Sequence, residues 1–180
     1  MTIADTPARL AAIVHEDGGS READALLAAF ARSLAREGWR VGGVVHERRT
    51  DARGRKGMYL VDLAGGREFC ISQDLGPLSR ACCVDPAGVA QAAGVLRQAL
   101  AERPALAIVN RFGELEAGGG GFVAELAALV GANVLVLTAV ARKHLAAWRR
   151  FTGGEGVELP AQALALGSWF SAAARRGEGA

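Results

Sequence analysis

The stretch Leu10–Leu27 constrains the fold of this chain more than any other part of the sequence. An apolar run, Leu10–Val14, has the length of a buried parallel strand. A short polar segment containing two adjacent glycines, Gly18 and Gly19, follows it, and a helical pattern of apolar residues begins after them. Backbone amides at the start of a helix carry partial positive charge, and glycines let the chain approach an anion closely. The stretch therefore predicts a strand, an anion-binding turn and a helix.

The turn has the layout of a P-loop in which the key residues are changed. The usual motif is G-x-x-x-x-G-K-[ST], in which the lysine contacts the terminal phosphates and the Ser or Thr holds magnesium. Here Ser20, Arg21 and Glu22 stand in the place of Gly, Lys and Ser or Thr. We predict that Gly18, Gly19 and Ser20 form an amide cradle, and that Arg21 contributes a guanidinium that pairs well with oxyanions. The alternative is an ordinary strand–helix turn with Ser20 as the helix N-cap.

Segments with strand and helix patterns alternate along the rest of the chain. We predict strands over residues 10–14, 39–46, 106–109 and 133–140 and helices over residues 21–37, 86–102, 122–130, 142–151 and 160–176. Residues 58–63 and 67–72 predict a hairpin, the glycine pair at 42–43 indicates a close approach to the backbone, and residues 73–86 are irregular. The alternation predicts a three-layer α/β fold with a mostly parallel sheet and an antiparallel hairpin, with ligands bound at the carboxyl ends of the strands.

The composition of the 180 residues is that of a globular chain. The chain is 51% hydrophobic and 22% charged, which excludes a disordered protein and predicts one domain over residues 1–176 with a polar tail at 177–180. Its apolar runs are too short to cross a membrane, and its first residues lack a signal-peptide pattern, so we expect a cytoplasmic location. A net charge of +2 does not indicate nucleic-acid binding. The sequence leaves the oligomeric state open, a homo-oligomer included.

A second candidate site follows the strand at residues 106–109. Asn110, Arg111 and Glu116 lie directly after this buried strand, where side chains commonly serve ligands, and the glycine run at residues 118–121 permits a close backbone approach. We predict that these three side chains contact the ligand. The alternative is structural, with Arg111 paired to Glu114 or Glu116 to hold the glycine-rich loop.

Histidines and basic residues supply further candidates. His15 and His46 end predicted strands, so both are expected to face the pocket, although a lone histidine is often structural. His144 lies on a late helix without an evident role. The strongly basic segment over residues 47–57 is predicted to be a mobile loop, and it either closes over an anionic ligand through Arg55 or is simply solvated.

Carboxylates and cysteines limit the metal chemistry that the sequence supports. Glu16 and Asp17 lie inside the candidate turn and would repel a phosphate unless cations or a metal compensate them. Cys70, Cys82 and Cys83 are an odd number of thiols without zinc-ligand spacing. We expect them to be reduced and predict no metal site.

Three segments together resemble a known family. They are the altered glycine turn, the segment RGRKGMYLVDL at residues 53–63 and the segment NRFGELE at residues 110–116. In this order they resemble a bacterial family known as domain of unknown function 2478, which is distantly similar to the small THEP-type P-loop nucleoside triphosphatases that include the cancer-related enzymes. The resemblance extends over about residues 11–170 and implies a P-loop NTPase fold.

Departures from the active enzymes limit the activity that the resemblance implies. In those enzymes the late strand ends in Asp-Glu-x-Gly-x-x-Glu, where the Asp supports magnesium and the Glu helps to position the attacking water. Asn110 and Arg111 replace both residues here. The resemblance therefore implies binding of a nucleotide or a small phosphate-like oxyanion with little or no hydrolysis. The family's association with molybdenum-related genes makes molybdate one candidate oxyanion.

Two other functions stay open at this point. One is an active nucleoside triphosphatase in which Glu16, Asp17 or Glu116 supplies metal support from a non-standard position. The other is an inactive NTPase fold that acts as a protein-interaction module. Its docking residues would be aromatic side chains of the late helices, namely Trp148, Trp169 and Phe170.

Overall fold

A computed structural model describes residues 8–50, 52–72 and 84–175 of the chain. Within these residues the strands are β1 (Leu10–His15), β2 (Val41–Thr50), β3 (Lys56–Asp62), β4 (Glu68–Cys70), β5 (Leu106–Val109), β6 (Val136–Ala141) and β7 (Val157–Pro160). The helices are α1 (Ser20–Arg36), α2 (Pro86–Glu102), α3 (Glu114–Ala117), α4 (Val123–Gly131), α5 (Leu145–Phe151) and α6 (Ala163–Ala174). A single 3₁₀ turn, Arg142–His144, precedes α5.

The strands form one mostly parallel sheet in the order β4-β3-β2-β5-β6-β1-β7. β1 pairs in parallel with β6 and β7, and β5 pairs in parallel with β2 and β6. β3 runs antiparallel to both β2 and β4. The predicted parallel sheet and its hairpin are therefore confirmed, and the carboxyl ends of β1, β2, β5 and β6 meet at one edge of the sheet.

Helices cover both faces of the sheet and create two hydrophobic cores. One core packs α1 and α6 against the sheet and contains Ile13, Leu27 and Leu166. The other packs α2, α4 and α5 against the opposite face and contains Leu96 and Leu126. Burial of these side chains stabilises the fold by roughly 1.5–3 kcal/mol each. The three-layer prediction is confirmed.

The aromatic residues proposed as a docking surface belong to these cores. Trp148, Trp169 and Phe170 are all buried, with exposed fractions of 0%, 7% and 3%. Trp148 packs edge-to-face on Phe112, at 5.5 Å between ring centroids, and Phe170 packs in the same way on Trp39, at 5.3 Å. The expectation that these three aromatic residues contact a partner is therefore wrong, because their surface is used inside the fold.

The basic segment predicted as a mobile loop is mostly strand. β2 continues to Thr50 and pairs with β3 in a register that places Glu47 opposite Tyr59. Arg49 donates hydrogen bonds to the carboxylates of Glu47 and Glu68. Its guanidinium carbon lies 5.3 Å from the centroid of the Tyr59 ring. The contacts of Arg49 with Glu68 on β4 and Tyr59 on β3 connect strands, which is why a segment without an apolar pattern forms an ordered ladder.

Two short elements were not predicted, and most of one predicted segment lies outside the residues that the structure describes. β7 adds a parallel edge strand beside β1, and α3 forms inside the loop after β5. Four residues are too few to display a hydrophobic period, so neither element has a distinctive sequence pattern. Most of the irregular segment, residues 73–83 with Cys82 and Cys83, lies outside the described residues. Cys70 is exposed with a free thiol.

The glycine pair in β2 allows a close approach between β2 and its neighbours. Gly43 has a φ of 95°, and a side chain there would overlap with the backbone carbonyl of Ile108 on β5. A side chain on Gly42 would meet Pro104 and Ala99 at 3.2–3.3 Å. The close approach predicted from the sequence is confirmed, and the neighbour is protein rather than ligand.

No helix among the described residues has both the length and the apolar character needed to cross a membrane.

Candidate functional site

A cleft of about 620 Å³ opens at the edge of the sheet where β1, β2, β5 and β6 end. Five of the predicted site residues line it, from the ends of β1 and β5, the start of α1 and the loop after β5. They are His15, Ser20, Asn110, Arg111 and Glu116. The cleft therefore brings the two halves of the candidate site together.

The start of α1 is open at this cleft. Gly19, and not Ser20, occupies the N-cap position, and no side chain caps the helix. The first backbone hydrogen bond of the 17-residue helix runs from Ala23 N to Gly19 O, at 3.1 Å. The amides of Ser20, Arg21 and Glu22 consequently have no acceptor within the helix. The alternative in which Ser20 is the N-cap is wrong, and the helix start offers three amide donors with partial positive charge.

Four other predicted site residues lie outside the lining of the cleft, namely Gly18, Gly19, Arg21 and Arg55. Arg21 and Arg55 are both exposed. Arg48, near the end of β2, is also exposed and outside the lining, but its guanidinium contacts Ser20 Oγ at 3.4 Å. The basic segment therefore places the guanidinium of Arg48 beside the start of α1.

The two carboxylates of the turn have partners from the 3₁₀ turn before α5. Glu16 pairs with Arg142 at 2.8 Å, and Asp17 accepts a hydrogen bond from the Lys143 amide at 3.2 Å. An exposed ion pair of this kind contributes only about 0–1 kcal/mol to stability. The pair is more important for anion binding than for stability. The positive charge of Arg142 offsets the negative charge of Glu16, which would otherwise repel a phosphate at the turn.

A buried network connects α1, β2 and the end of β5 through Asp24. Its carboxylate accepts hydrogen bonds from Arg111 Nη2 at 2.7 Å, His46 Nδ1 at 3.1 Å and Asn110 Nδ2 at 3.2 Å. Asp24 is only 6% exposed, so these three bonds replace the water that a free carboxylate would bind. The network fixes the position of three side chains that line the cleft.

Asp24 is ionised in this network. Burial raises the pKa of its carboxyl, but the hydrogen bond from His46, the charge of Arg111 and the amide of Asn110 together lower it more, and the net pKa lies below the usual value. The charge of Arg111 is therefore balanced by Asp24. Arg111 also adopts a φ of 84°, a conformation that costs a non-glycine residue about 1–3 kcal/mol.

Glu116 holds the loop that follows β5. Its carboxylate accepts hydrogen bonds from the amides of Gly113 and Phe122, each at 3.0 Å, and a side chain on Gly121 would overlap with it. The structural alternative, in which Arg111 pairs with Glu114 or Glu116, is wrong, because Arg111 pairs with Asp24 instead. Glu116 lines the cleft, and its two oxygens already accept protein donors.

All three histidines of the chain line the cleft, as predicted for His15 and His46 but not for His144. His15 Nδ1 lies 2.7 Å from the carbonyl oxygen of Glu16, so it donates its proton there. Its Nε2 is buried without a partner among the described residues, and the same holds for Asn110 Oδ1 and Arg111 Nε.

Sequence reasoning missed Asp24 and Lys143, although one of them had a detectable signal. Asp24 lies three and four residues before Leu27 and Ala28 on the buried face of α1, where a carboxylate needs partners. Lys143 lines the cleft from a 3₁₀ turn that the sequence pattern does not reveal. Within the described residues no group of three or more His, Cys, Asp or Glu side chains is arranged to hold a metal.

The strand order and the cleft at the start of α1 define an α/β protein of the P-loop NTPase type. The solution structure of a human cancer-related nucleoside triphosphatase is similar, with a TM-score of 0.62 and 19% identity. The similarity covers 85% of this chain and 88% of the human protein. At this identity the similarity establishes the fold.

The chain belongs to the family described as protein of unknown function DUF2478, whose model matches residues 10–169. The resemblance drawn from the sequence is thereby confirmed. The chain is also 40% identical over 165 residues to the molybdenum import ATP-binding protein ModC 2 of Bradyrhizobium diazoefficiens. The match covers 91% of this chain and 18% of the length of that relative.

Proposed function

We propose that this domain binds a nucleotide or a small phosphate-like oxyanion in the cleft, with little or no hydrolysis. The open N-terminus of α1 at the carboxyl edge of the sheet carries this proposal. Its uncapped amides and the nearby guanidinium of Arg48 supply donors to an anion. Lys143 is among the residues that line the cleft, and Arg142 offsets Glu16 at the turn.

Two similar proteins support nucleotide as the first candidate. The human relative in fold is a nucleoside triphosphatase, and the bacterial relative is an ATP-binding protein of molybdenum import. Because this chain corresponds to a small part of the bacterial relative, the molybdenum association supports molybdate only as one oxyanion to be tested.

Weak or absent hydrolysis is supported by how the site residues are used. By the resemblance to the active enzymes, Asn110 takes the place of an acidic magnesium support, and its amide nitrogen donates to Asp24. By the same resemblance, Arg111 takes the place of the residue that positions water, and its guanidinium pairs with Asp24. Arg21, in the place of the P-loop lysine, is exposed and outside the lining of the cleft. These positions support the proposal that none of the three side chains activates water or holds magnesium.

A thermal-shift screen tests the proposal with ATP, GTP, phosphate, sulfate, molybdate and tungstate, each with and without magnesium. A ligand that binds the folded state stabilises it by RT ln(1 + [L]/Kd), about 2.7 kcal/mol at a hundredfold excess over Kd. We expect at least one of these anions to raise Tm and phosphate release from ATP and GTP to stay at the buffer rate. Magnesium-dependent shifts with rapid phosphate release would instead establish an active nucleoside triphosphatase. A screen in which no anion raises Tm would reject the proposal.

A matched pair of variants tests where the anion binds. Arg48→Ala removes the guanidinium at the start of α1, and Arg32→Ala removes the same charge from an exposed position farther along the same helix. We expect Arg48→Ala to weaken anion binding about 5- to 30-fold, because a charge-assisted contact contributes roughly 1–2 kcal/mol. Arg32→Ala should leave the affinity within about twofold. Equal losses in both variants would indicate that only the overall charge of the protein matters.

A further inference from the structure

His46 differs from the other two histidines of the cleft in its hydrogen bonding. Its Nδ1 lies 3.1 Å from a carboxylate oxygen of Asp24. Because that carboxylate is ionised it can only accept, so Nδ1 carries a proton and the lone pair of the neutral ring is on Nε2. A histidine with a carboxylate on one nitrogen and a lone pair on the other is oriented and activated for chemistry.

Nε2 of His46 is accessible from the cleft. The ring lines the cleft, and within the part of the chain that the structure describes its Nε2 has no hydrogen-bond partner. Nε2 of His15 also lacks a partner, but that atom is fully buried, whereas Nε2 of His46 is not. His144 lines the cleft as well, and no described side chain orients its ring. Of the three histidines, His46 therefore combines an oriented ring with a nitrogen that a reagent can reach.

The position of Asp24 on α1 places His46 close to the open start of that helix. Asp24 lies four residues after Ser20, so the two side chains are on one face of α1 and about 6 Å apart along its axis. Arg48, two residues after His46 on β2, contacts Ser20 Oγ at 3.4 Å. An anion at the start of α1 would consequently lie within about one helical turn of the His46 ring.

A guanidinium is the immediate neighbour of this imidazole. Arg111 Nη2 lies 2.7 Å from the same oxygen of Asp24 that accepts the hydrogen bond from His46. Arg111 lines the cleft and keeps 30% of its side chain exposed. Guanidinium groups stabilise the negative charge of a phosphoryl group during its transfer. The surroundings of His46 therefore suit the transfer of a phosphoryl group to the ring.

We propose that Nε2 of His46 is a phosphorylation site, which accepts a phosphoryl group from a phosphoric anhydride bound at the start of α1. The lone pair of Nε2 forms the N–P bond while the P–O bond to the leaving group breaks. The leaving nucleoside diphosphate or carboxylate keeps the electron pair of that bond. Asp24 offsets the positive charge that develops on the ring, through the proton on Nδ1, so no proton has to leave. The inference rests on the proposed function for the position of the donor, and a single transfer to the protein is compatible with phosphate release at the buffer rate.

Phosphoryl labelling of the full chain tests the proposal. The donors are radioactive ATP and GTP, labelled in the γ-phosphate, and labelled acetyl phosphate, each with and without magnesium. Phosphohistidine is labile in acid and stable in base, and mass spectrometry of peptides kept at alkaline pH locates it. His46→Asn keeps a donor near the Nδ1 position and removes Nε2. His144→Gln is the matched control, because it removes another histidine that lines the cleft.

At least one donor should place an acid-labile phosphoryl group on His46 of the unmodified protein. His46→Asn should reduce the label about 10-fold or more, and His144→Gln should leave it within about twofold. Asp24→Asn should slow labelling about 10-fold without raising the donor concentration at half-saturation, because the carboxylate acts on the ring and not on the donor. The position of the label in the unmodified protein decides the matter even if a variant fails to fold.

Three results would overturn the inference. Donors that raise Tm but leave no acid-labile label would reject it and leave the proposed function standing. Label that is spread over several residues without preference for His46 would indicate non-specific chemistry, which also rejects it. Donors that neither raise Tm nor label the protein would reject the inference and count against the proposed function as well.

Discussion

At the scale of single residues, Asp24 organises the candidate site. Its carboxylate is the common acceptor for side chains at the ends of two strands. It accepts hydrogen bonds from His46, Asn110 and Arg111, at distances between 2.7 and 3.2 Å. From the sequence alone, a single carboxylate on a helix is usually expected to be solvated. The three donors explain why this one is buried and ionised, and why Arg111 contributes position rather than free charge to the cleft.

Replacing Asp24 should destabilise the protein strongly. Asp24→Asn leaves Arg111 without its counter-charge and places an amide near donors that need an acceptor. We expect the free energy of unfolding to fall by about 2–3 kcal/mol, below the roughly 3–5 kcal/mol of a fully buried pair because Arg111 keeps 30% of its side chain exposed. Urea denaturation measures it. The control is Glu22→Gln, which replaces an exposed carboxylate on the same helix by a carboxamide and should change stability by less than about 0.5 kcal/mol.

The lowered pKa of Asp24 predicts acid sensitivity with a definite sign. Because the folded pKa lies below the unfolded pKa, the unfolded state binds more protons between the two values, and stability falls as pH decreases through that window. The stabilisation should be complete above about pH 4 and lost progressively below it. Urea titrations of the unmodified protein and Asp24→Asn should therefore converge at low pH. A stability difference that stays constant from pH 7 to pH 3 would contradict the assigned ionisation.

At the scale of elements, the contact between β2 and β5 depends on one glycine. Gly43→Ala forces a side chain into the backbone of Ile108 at a φ of 95°, and we expect a loss of about 3 kcal/mol or more. Gly94→Ala is the matched change at an uncrowded position inside α2, where alanine is the better helix former. It should stabilise the protein by about 0.5–1 kcal/mol. Thermal denaturation of both variants checks the pair.

Elements with a buried face were predictable, and elements defined by pairing were not. The run at residues 106–109 is buried along its whole length and forms β5 as predicted. The far half of β2 has polar side chains on both faces, so its order depends on register with β3 and on the ion pairs of Arg49. β7 has four residues and depends on the exposed edge of β1, which exists only in the folded sheet.

At the scale of the whole molecule, the sequence predicted the edge of the sheet where the candidate site lies, but not which side chains of the site pair with one another. The positions of Ser20, Asn110 and His15 follow from parallel strands whose carboxyl ends share one edge. The pairing of Arg111 with Asp24 joins residues 87 positions apart in the chain and depends on how α1 packs over β2 and β5. No local pattern encodes such a distance.

The open start of α1 as an anion site is the central claim, and a two-dimensional ¹H–¹⁵N NMR titration tests it most directly. Phosphate and a nucleoside monophosphate are added in turn to the labelled protein, and the amide resonances are followed. The account predicts the largest shifts at the amides of Ser20, Arg21 and Glu22, with little change at residues of α4 on the opposite side of the sheet. Saturable shifts that spare α1, or none with either ligand, would contradict it.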